Sequence, residues 1–198
     1  MNYGDELQVI IRGFRKIHDE KNAVEFFRIF QDVSTEVSPQ KIAAYNEKWK
    51  LYSDESARKV WIESSEMYKK FRGGIYGGGD VGFKGKRPRL YNGYVYWEFN
   101  GYNNIVLNIS MKYLNNSIGY KKFIELIKTL SIWCNGFYGY GQHLSQYGIH
   151  STPGMDYETC IGGISWLTLF GAPYVEMFGK ETLKTVPCIV EEFNEDQF

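Results

Sequence analysis

The residues with the readiest chemistry are three cysteines, Cys134, Cys160 and Cys188, and three histidines, His18, His143 and His150. Cys134, His143, His150 and Cys160 are metal-ligand types, but the gaps between them (nine, seven and ten positions) match no common zinc spacing, and no C-x-x-C pair is present. An odd number of widely spaced cysteines in a chain of 198 residues does not read as a disulfide framework. Cys134 or Cys160 with His143 or His150 is the pairing a small cytoplasmic hydrolase would need, yet no local signature surrounds either thiol. Ser165 sits in Gly163-Ile-Ser165-Trp-Leu, which lacks the second glycine of a nucleophile elbow. Glu191 and Glu192 lie in an acidic tail, where carboxylates are more often solvated than catalytic.

Gly77-Gly78-Gly79-Asp80-Val81-Gly82 spells a dinucleotide-loop pattern. That pattern works only between a strand and a helix N-terminus, where free N–H groups meet the pyrophosphate. Here a helical pattern precedes it and a basic run follows. Lys84, Lys86, Arg87 and Arg89, beside Phe83 and Tyr91, could track a nucleic-acid strand. Against that, 23 basic residues are balanced by 23 acidic ones, so the chain lacks the cationic excess of most nucleic-acid binders. The expectation is no catalytic constellation, no metal and no small-molecule cofactor. Nucleic-acid association is a lesser alternative.

The elements that would position these residues are legible in part. Aromatics make up 17% of the chain, enough for a sizeable core with some left for a surface. Residues 6–14 read as a strand and 22–33 as a helix with Asn22 at its cap. Residues 41–51 are ambiguous. Ser53 starts a helix whose stripe is Ala57, Val60, Trp61, Ser64, Tyr68 and Phe71, closing at Gly73. Residues 73–89 read as a Gly-rich, then basic loop. The period then switches to two over 89–99 and 104–114, with Asn100-Gly101 as the hairpin turn. Ser117 opens another helix ending near Trp133, followed by a short strand at 137–144. Residues 164–170 read as a strand or extended run, 172–179 as one or two helical turns with Pro173 in the first, and 186–193 as a terminal strand. Hairpin strands without βαβ alternation predict a single-domain α+β fold, its mixed or antiparallel sheet carrying a central hairpin against two or three helices.

The run 163–179, "GISWLTLFGAPYVEMFG", is too short for the ~20 apolar residues a spanning helix needs, and Gly171, Pro173 and Glu176 interrupt it. Trp166, Leu167, Leu169 and Phe170 are expected in the core, Gly171 and Pro173 in a turn, and Tyr174, Val175 and Phe178 on a docked short helix ended by Gly179. No membrane role and no signal peptide are expected.

This run, with Gly163, Trp166, Phe170, Gly171, Pro173, Tyr174 and Gly179 at its fixed points, resembles a C-terminal segment of the immunity protein 52 type family of bacterial polymorphic-toxin systems. The resemblance holds at motif level over 163–179 and loosely over the C-terminal half. It implies a small cytoplasmic α+β protein that neutralises a cognate toxin by direct contact. Many such antidotes are acidic, to meet basic nucleases; this chain is neutral, which argues against a nuclease target. Partner contacts are expected from the loops at 73–88 and 139–157, through Tyr76, Asp80, Phe83, Lys84, Tyr138, Tyr140, His143 and Tyr147.

Overall fold

The computed structural model describes residues 5–44, 46–71, 78–86, 90–98, 101–144, 165–194 and 197–198. The elements run β1 (Glu6–Gly13), α1 (Glu20–Val33), β2 (Lys41–Ala44), β3 (Lys50–Leu51), α2 (Asp54–Phe71), β4 (Gly78–Lys84), β5 (Tyr91–Glu98), β6 (Asn103–Ser110), α3 (Met111–Leu114), α4 (Ser117–Cys134), β7 (Gly136–His143), β8 (Leu167–Phe170), α5 (Ala172–Phe178) and α6 (Lys180–Lys184). The strands form one sheet in the order β3-β2-β4-β5-β6-β1-β7-β8, and every pairing is antiparallel. The fold is therefore α+β, with the β5–β6 hairpin at the centre of the sheet.

Period-two alternation divides the sheet into two faces. The first carries Leu7, Val9 and Ile11 of β1, Ile105, Leu107 and Ile109 of β6, Tyr91, Val95 and Trp97 of β5, and Val81 and Phe83 of β4, all buried. Helices α1, α2 and α4 cover it, contributing Phe26, Phe27, Phe30, Val60, Trp61, Phe123, Leu126 and Leu130. Phe83 lies 5.5, 5.9 and 5.3 Å from the rings of Phe26, Phe27 and Phe30, in edge-on geometry that favours the aromatic quadrupoles.

Segment 78–84 corrects the loop expected at 73–89. Glycines in it and in β5 accommodate large cross-strand neighbours. Gly79 pairs with Trp97, and a Cβ at 79 would fall inside the indole; Gly93 pairs with Phe83, whose ring would lie 2.7 Å from a Cβ at 93. An aromatic lying across a glycine restores the burial that the missing side chain forfeits. The Trp97 indole then stacks on Trp61 of α2, centroids 4.4 Å apart and planes within 15°. Trp61 Nε1 donates to the Ile17 carbonyl at 2.7 Å. Ser64, from the same helix, accepts from Asp80 N at 2.7 Å and donates to Asp80 O at 2.8 Å. β2 stops opposite Val81, so Ser64 satisfies a backbone that the strand leaves unpaired.

The helix ends follow local chemistry. Ser53 caps α2, its Oγ accepting from Ser56 N while Ser56 Oγ accepts from Ser53 N. α1 starts at Glu20 with Asp19 as its cap, so Asn22 sits inside the first turn instead of capping it. Asn116, not Ser117, caps α4, accepting from the N–H groups of Ile118 and Gly119. Asn135 closes α4 in the left-handed region at φ 53. The strand expected to reach 114 ends at Ser110, whose side chain caps the short α3. The terminal strand expected at 186–193 is absent. That segment is tied down by Lys128–Glu191 and Lys180–Glu192 ion pairs, and Phe198 exchanges backbone hydrogen bonds with Phe170 at the β8 edge.

Trp61→Phe removes part of the stack and leaves the Ile17 carbonyl without its donor. It should destabilise the protein by ~2–4 kcal/mol, measured by denaturant unfolding, with the native circular dichroism spectrum retained.

Candidate partner-binding face

Among the described residues, helical cover on the second face of the sheet is confined to one end. There α5 packs on β7 and β8, and Tyr174 meets Tyr138 and Phe170 with ring centroids 5.3 and 5.9 Å apart. Gly171 lets the chain turn into α5 by passing so close to Gly136 and Phe137 that a Cβ would collide with their backbone. Pro173 occupies the first turn of α5, and Gly179, at φ 80, ends it. Phe170, Tyr174, Tyr138 and Tyr140 thus belong to a second hydrophobic cluster with Val175, Leu183 and Phe198.

This corrects two expectations. Tyr138 and Tyr140 are buried on an interior strand, Tyr138 against Tyr174 of α5, so they are not contact residues of a surface loop. Phe83 is fully buried on the first face. A third correction concerns Trp166, expected in the core but 55% exposed: it precedes the first paired residue of β8 and meets only the edge of Tyr120 among the described aromatic contacts. His143 is half-buried at the end of β7, opposite Leu7 on the helix-covered face. Tyr76, Tyr147 and Gly163 lie outside the described residues, as do Cys160 and His150.

From β2 to β1 the second face presents three registered rungs. The first runs Lys41, Lys84, Asn92, Asn108, Gln8; the second Ala43, Gly82, Tyr94, Val106, Ile10; the third Asp80, Tyr96, Asn104, Arg12. Side-chain amides link the strands across the first rung: Gln8 Nε2 donates to Asn108 Oδ1 at 3.0 Å, and Asn108 Nδ2 donates to Asn92 Oδ1 at 2.9 Å. On the third, Arg12 Nε donates to Asn104 Oδ1 at 3.2 Å, and its guanidinium lies about 6 Å from the rings of Tyr102 and Tyr140. These bonds hold long polar side chains in fixed positions, which lowers the ordering cost of binding.

At the β2–β4–β5 end this face sinks into a hollow that includes Ala43, Glu47, Trp49, Asp80, Gly82, Lys84 and Tyr94. Trp49 comes from the turn between β2 and β3. Its ring edge would stand 3.3 Å from a Cβ at Gly82, and the Lys84 ammonium sits 3.8 Å from its centroid, a cation–π contact. Trp49 and Tyr94 are 45% and 41% exposed, well above the usual exposure of such large rings. Asp80 is half-buried, and among the described residues no ion pair reaches it. Burial pushes its carboxyl up to about 6. Of the expected contact residues, Asp80 and Lys84 are brought together here. Trp49, Tyr94 and the amide rung were missed by sequence reasoning, although the alternation of 91–98 already set Tyr94 opposite the core-facing Val95.

The alternative of thiol chemistry finds no support at Cys134. It is fully buried, its Sγ donates to the Ser131 carbonyl at 3.5 Å, and burial pushes its pKa up to about 12, away from the thiolate. Among the described residues no cluster of three or more His, Cys, Asp or Glu is placed to hold a metal, and no helix is long and apolar enough to cross a membrane. An apolar groove of about 330 Å³ runs between α4, β8 and segment 186–193, lined in part by Ile124, Trp166, Leu167 and Ile189.

No family model and no curated protein sequence matches the chain. Among solved structures, Pseudomonas aeruginosa T6SS protein PA0821 is similar in fold, with a TM-score of 0.56 at 12% identity over 88% of this chain. The alignment takes in 58% of that protein, so this chain spans little more than half its length. The toxic C-terminal tip of CdiA from Pseudomonas aeruginosa in complex with immune protein also aligns, over 83% of this chain and 94% of that one. Its TM-score is 0.37 at 13% identity, too low to bear on function.

Asp80 makes stability depend on pH. The folded chain binds this proton more tightly than the unfolded chain, so the stabilisation from protonation is present at low pH and is lost as pH rises from 3.8 through about 6. Asp80→Asn removes the cost of the buried charge. It should raise stability at pH 7 by ~2 kcal/mol, with the gain shrinking toward zero near pH 4, in urea unfolding measured at both pH values.

Proposed function

We propose that this chain is an immunity protein that neutralises a cognate toxin by direct protein–protein contact, acting in the cytoplasm without catalysis or cofactor. The observation that carries the reading is the composition of the part of the second face that no described helix covers. It combines half-exposed aromatics, Trp49, Tyr94 and Tyr102, with side-chain amides already held in place by one another. Exposed aromatic rings surrounded by ordered polar groups are the composition of a recognition surface, since rings contribute large contact area at little loss of rotamer freedom. Cys134, fully buried, is a poor candidate for the reactive thiol of the hydrolase alternative. Lys84, first residue of the basic run, is engaged on Trp49, which weakens the nucleic-acid alternative.

The C-terminal resemblance supplies the toxin-neutralising role, and the segment that carries it has a structural part here. Phe170, Gly171, Pro173 and Tyr174 close one end of the second face and so set the boundary of its open part. The name of the T6SS protein that shares the fold is compatible with this setting. Formal neutrality fits a partner whose surface mixes both signs.

The test is co-expression with the partner recovered from the native host. Wild-type protein should restore growth to cells expressing that toxin and bind it in equimolar mixture. A Trp49→Ala/Tyr94→Ala variant should weaken binding by ~2 kcal/mol or more, about 30-fold, and lose rescue. Trp166→Ala, at the opposite edge of the sheet, should retain both. A toxin fully active in the presence of excess wild-type protein contradicts the proposal.

A further inference from the structure

We propose that the hollow formed by Asp80, Trp49 and Tyr94 receives an arginine side chain of the partner protein. The inference rests on the toxin-binding reading for the identity of the partner, but the pocket can be tested by itself.

Asp80 lines a hollow open to the second face, and among the described residues no lysine, arginine or histidine pairs with it. Asp80 and Lys84 lie on the same face of β4, four residues apart, which at strand rise is ~13 Å. Lys84 is held over the Trp49 ring and does not neutralise the carboxylate. The second carboxylate of the hollow, Glu47, is exposed at its rim and adds to the local negative charge. A desolvated carboxylate with no counter-ion is costly, and supplying one restores the lost stabilisation.

Shape selects the cation. Ala43 and Gly82 lie side by side in register and put no bulky side chain of their own into the hollow, which the Trp49 ring, its edge over Gly82, and Tyr94 also line. A guanidinium can stack against an aromatic face and offer two parallel N–H donors to one carboxylate, which an ammonium cannot. Arginine is also enriched at the centres of protein interfaces, where its stem fills apolar pockets.

The experiment uses the full chain and N-acetyl-arginine methylamide as the probe, followed by NMR of the Asp80 carboxyl carbon and the Trp49 indole. The Asp80 pKa should fall by at least ~1 unit on saturation, as expected for a carboxylate gaining an opposite charge. Shifts at Trp49 and Tyr94 should follow the same binding curve. Asp80→Asn, which keeps the shape and should fold well, should weaken probe binding by about tenfold. N-acetyl-lysine methylamide should bind more weakly than the arginine probe. Equal binding by Asp80→Asn, or a preference for N-acetyl-glutamate methylamide over the arginine probe, would overturn the inference. Failure of toxin rescue with this probe result intact would count against the immunity reading and leave the pocket assignment standing.

Discussion

The indole of Trp97 lies flat across Gly79, and much of the structure depends on that contact. A side chain at 79 would occupy the ring's place. With the ring down, its other face is free to stack on Trp61, and that stack seats α2 against β4 and β5. The seated helix brings Ser64 to the backbone of Asp80 and carries Trp61 to the Ile17 carbonyl. α1 then fills the remaining space with Phe26, Phe27 and Phe30 around Phe83. Because the largest apolar side chains of β4 and β5 are committed to this first face, their second face is left with glycine, asparagine, tyrosine and charged side chains. The division of labour between the faces is thus a consequence of packing, with one face making the core and the other offering a surface.

The same contact explains what was legible in the sequence. Helices α2 and α4, strand β1 and the central hairpin announce themselves because periodicity, caps and turn residues agree locally. Segment 78–84 does not. Three of its seven residues are glycine, and local propensity reads them as a loop. The residue that makes the strand stable, Trp97, is eighteen positions further on and becomes a neighbour only when the sheet forms. Likewise Tyr138 and Tyr140 alternate with glycines and suggest an adaptable loop, but α5, whose Tyr174 packs on Tyr138, comes more than thirty residues later. The candidate site was less legible than the fold. Asp80 and Lys84 are chemically conspicuous, whereas Trp49 lies in a stretch with no clear period, and its role comes from a turn that lays it over Gly82.

The candidate face differs from a surface that binds by charge alone. It carries both signs of charge, with Lys84 and Arg12 on the same face as Asp80 and Glu98, and the chain as a whole is formally neutral. Such a pattern favours discrimination between partners over long-range attraction, since a wrong partner juxtaposes like charges or leaves a buried group unpaired. The hydrogen-bonded amides across β5, β6 and β1 add rigidity. A surface ordered before contact loses less conformational freedom on binding, so more of the contact energy remains as affinity.

The central claim is that the open second face, and not the apolar groove at the other edge of the sheet, meets the partner. Hydroxyl-radical footprinting of the complex with the proposed toxin partner addresses this directly, because aromatic side chains report their own exposure. Protection of Trp49, Tyr94 and Tyr102, with Trp166 and Ile189 as reactive as in the free protein, is the expected result. Unchanged labelling of Trp49 and Tyr94, with protection confined to Trp166 and Ile189, would contradict it and place the partner in the groove between α4 and β8.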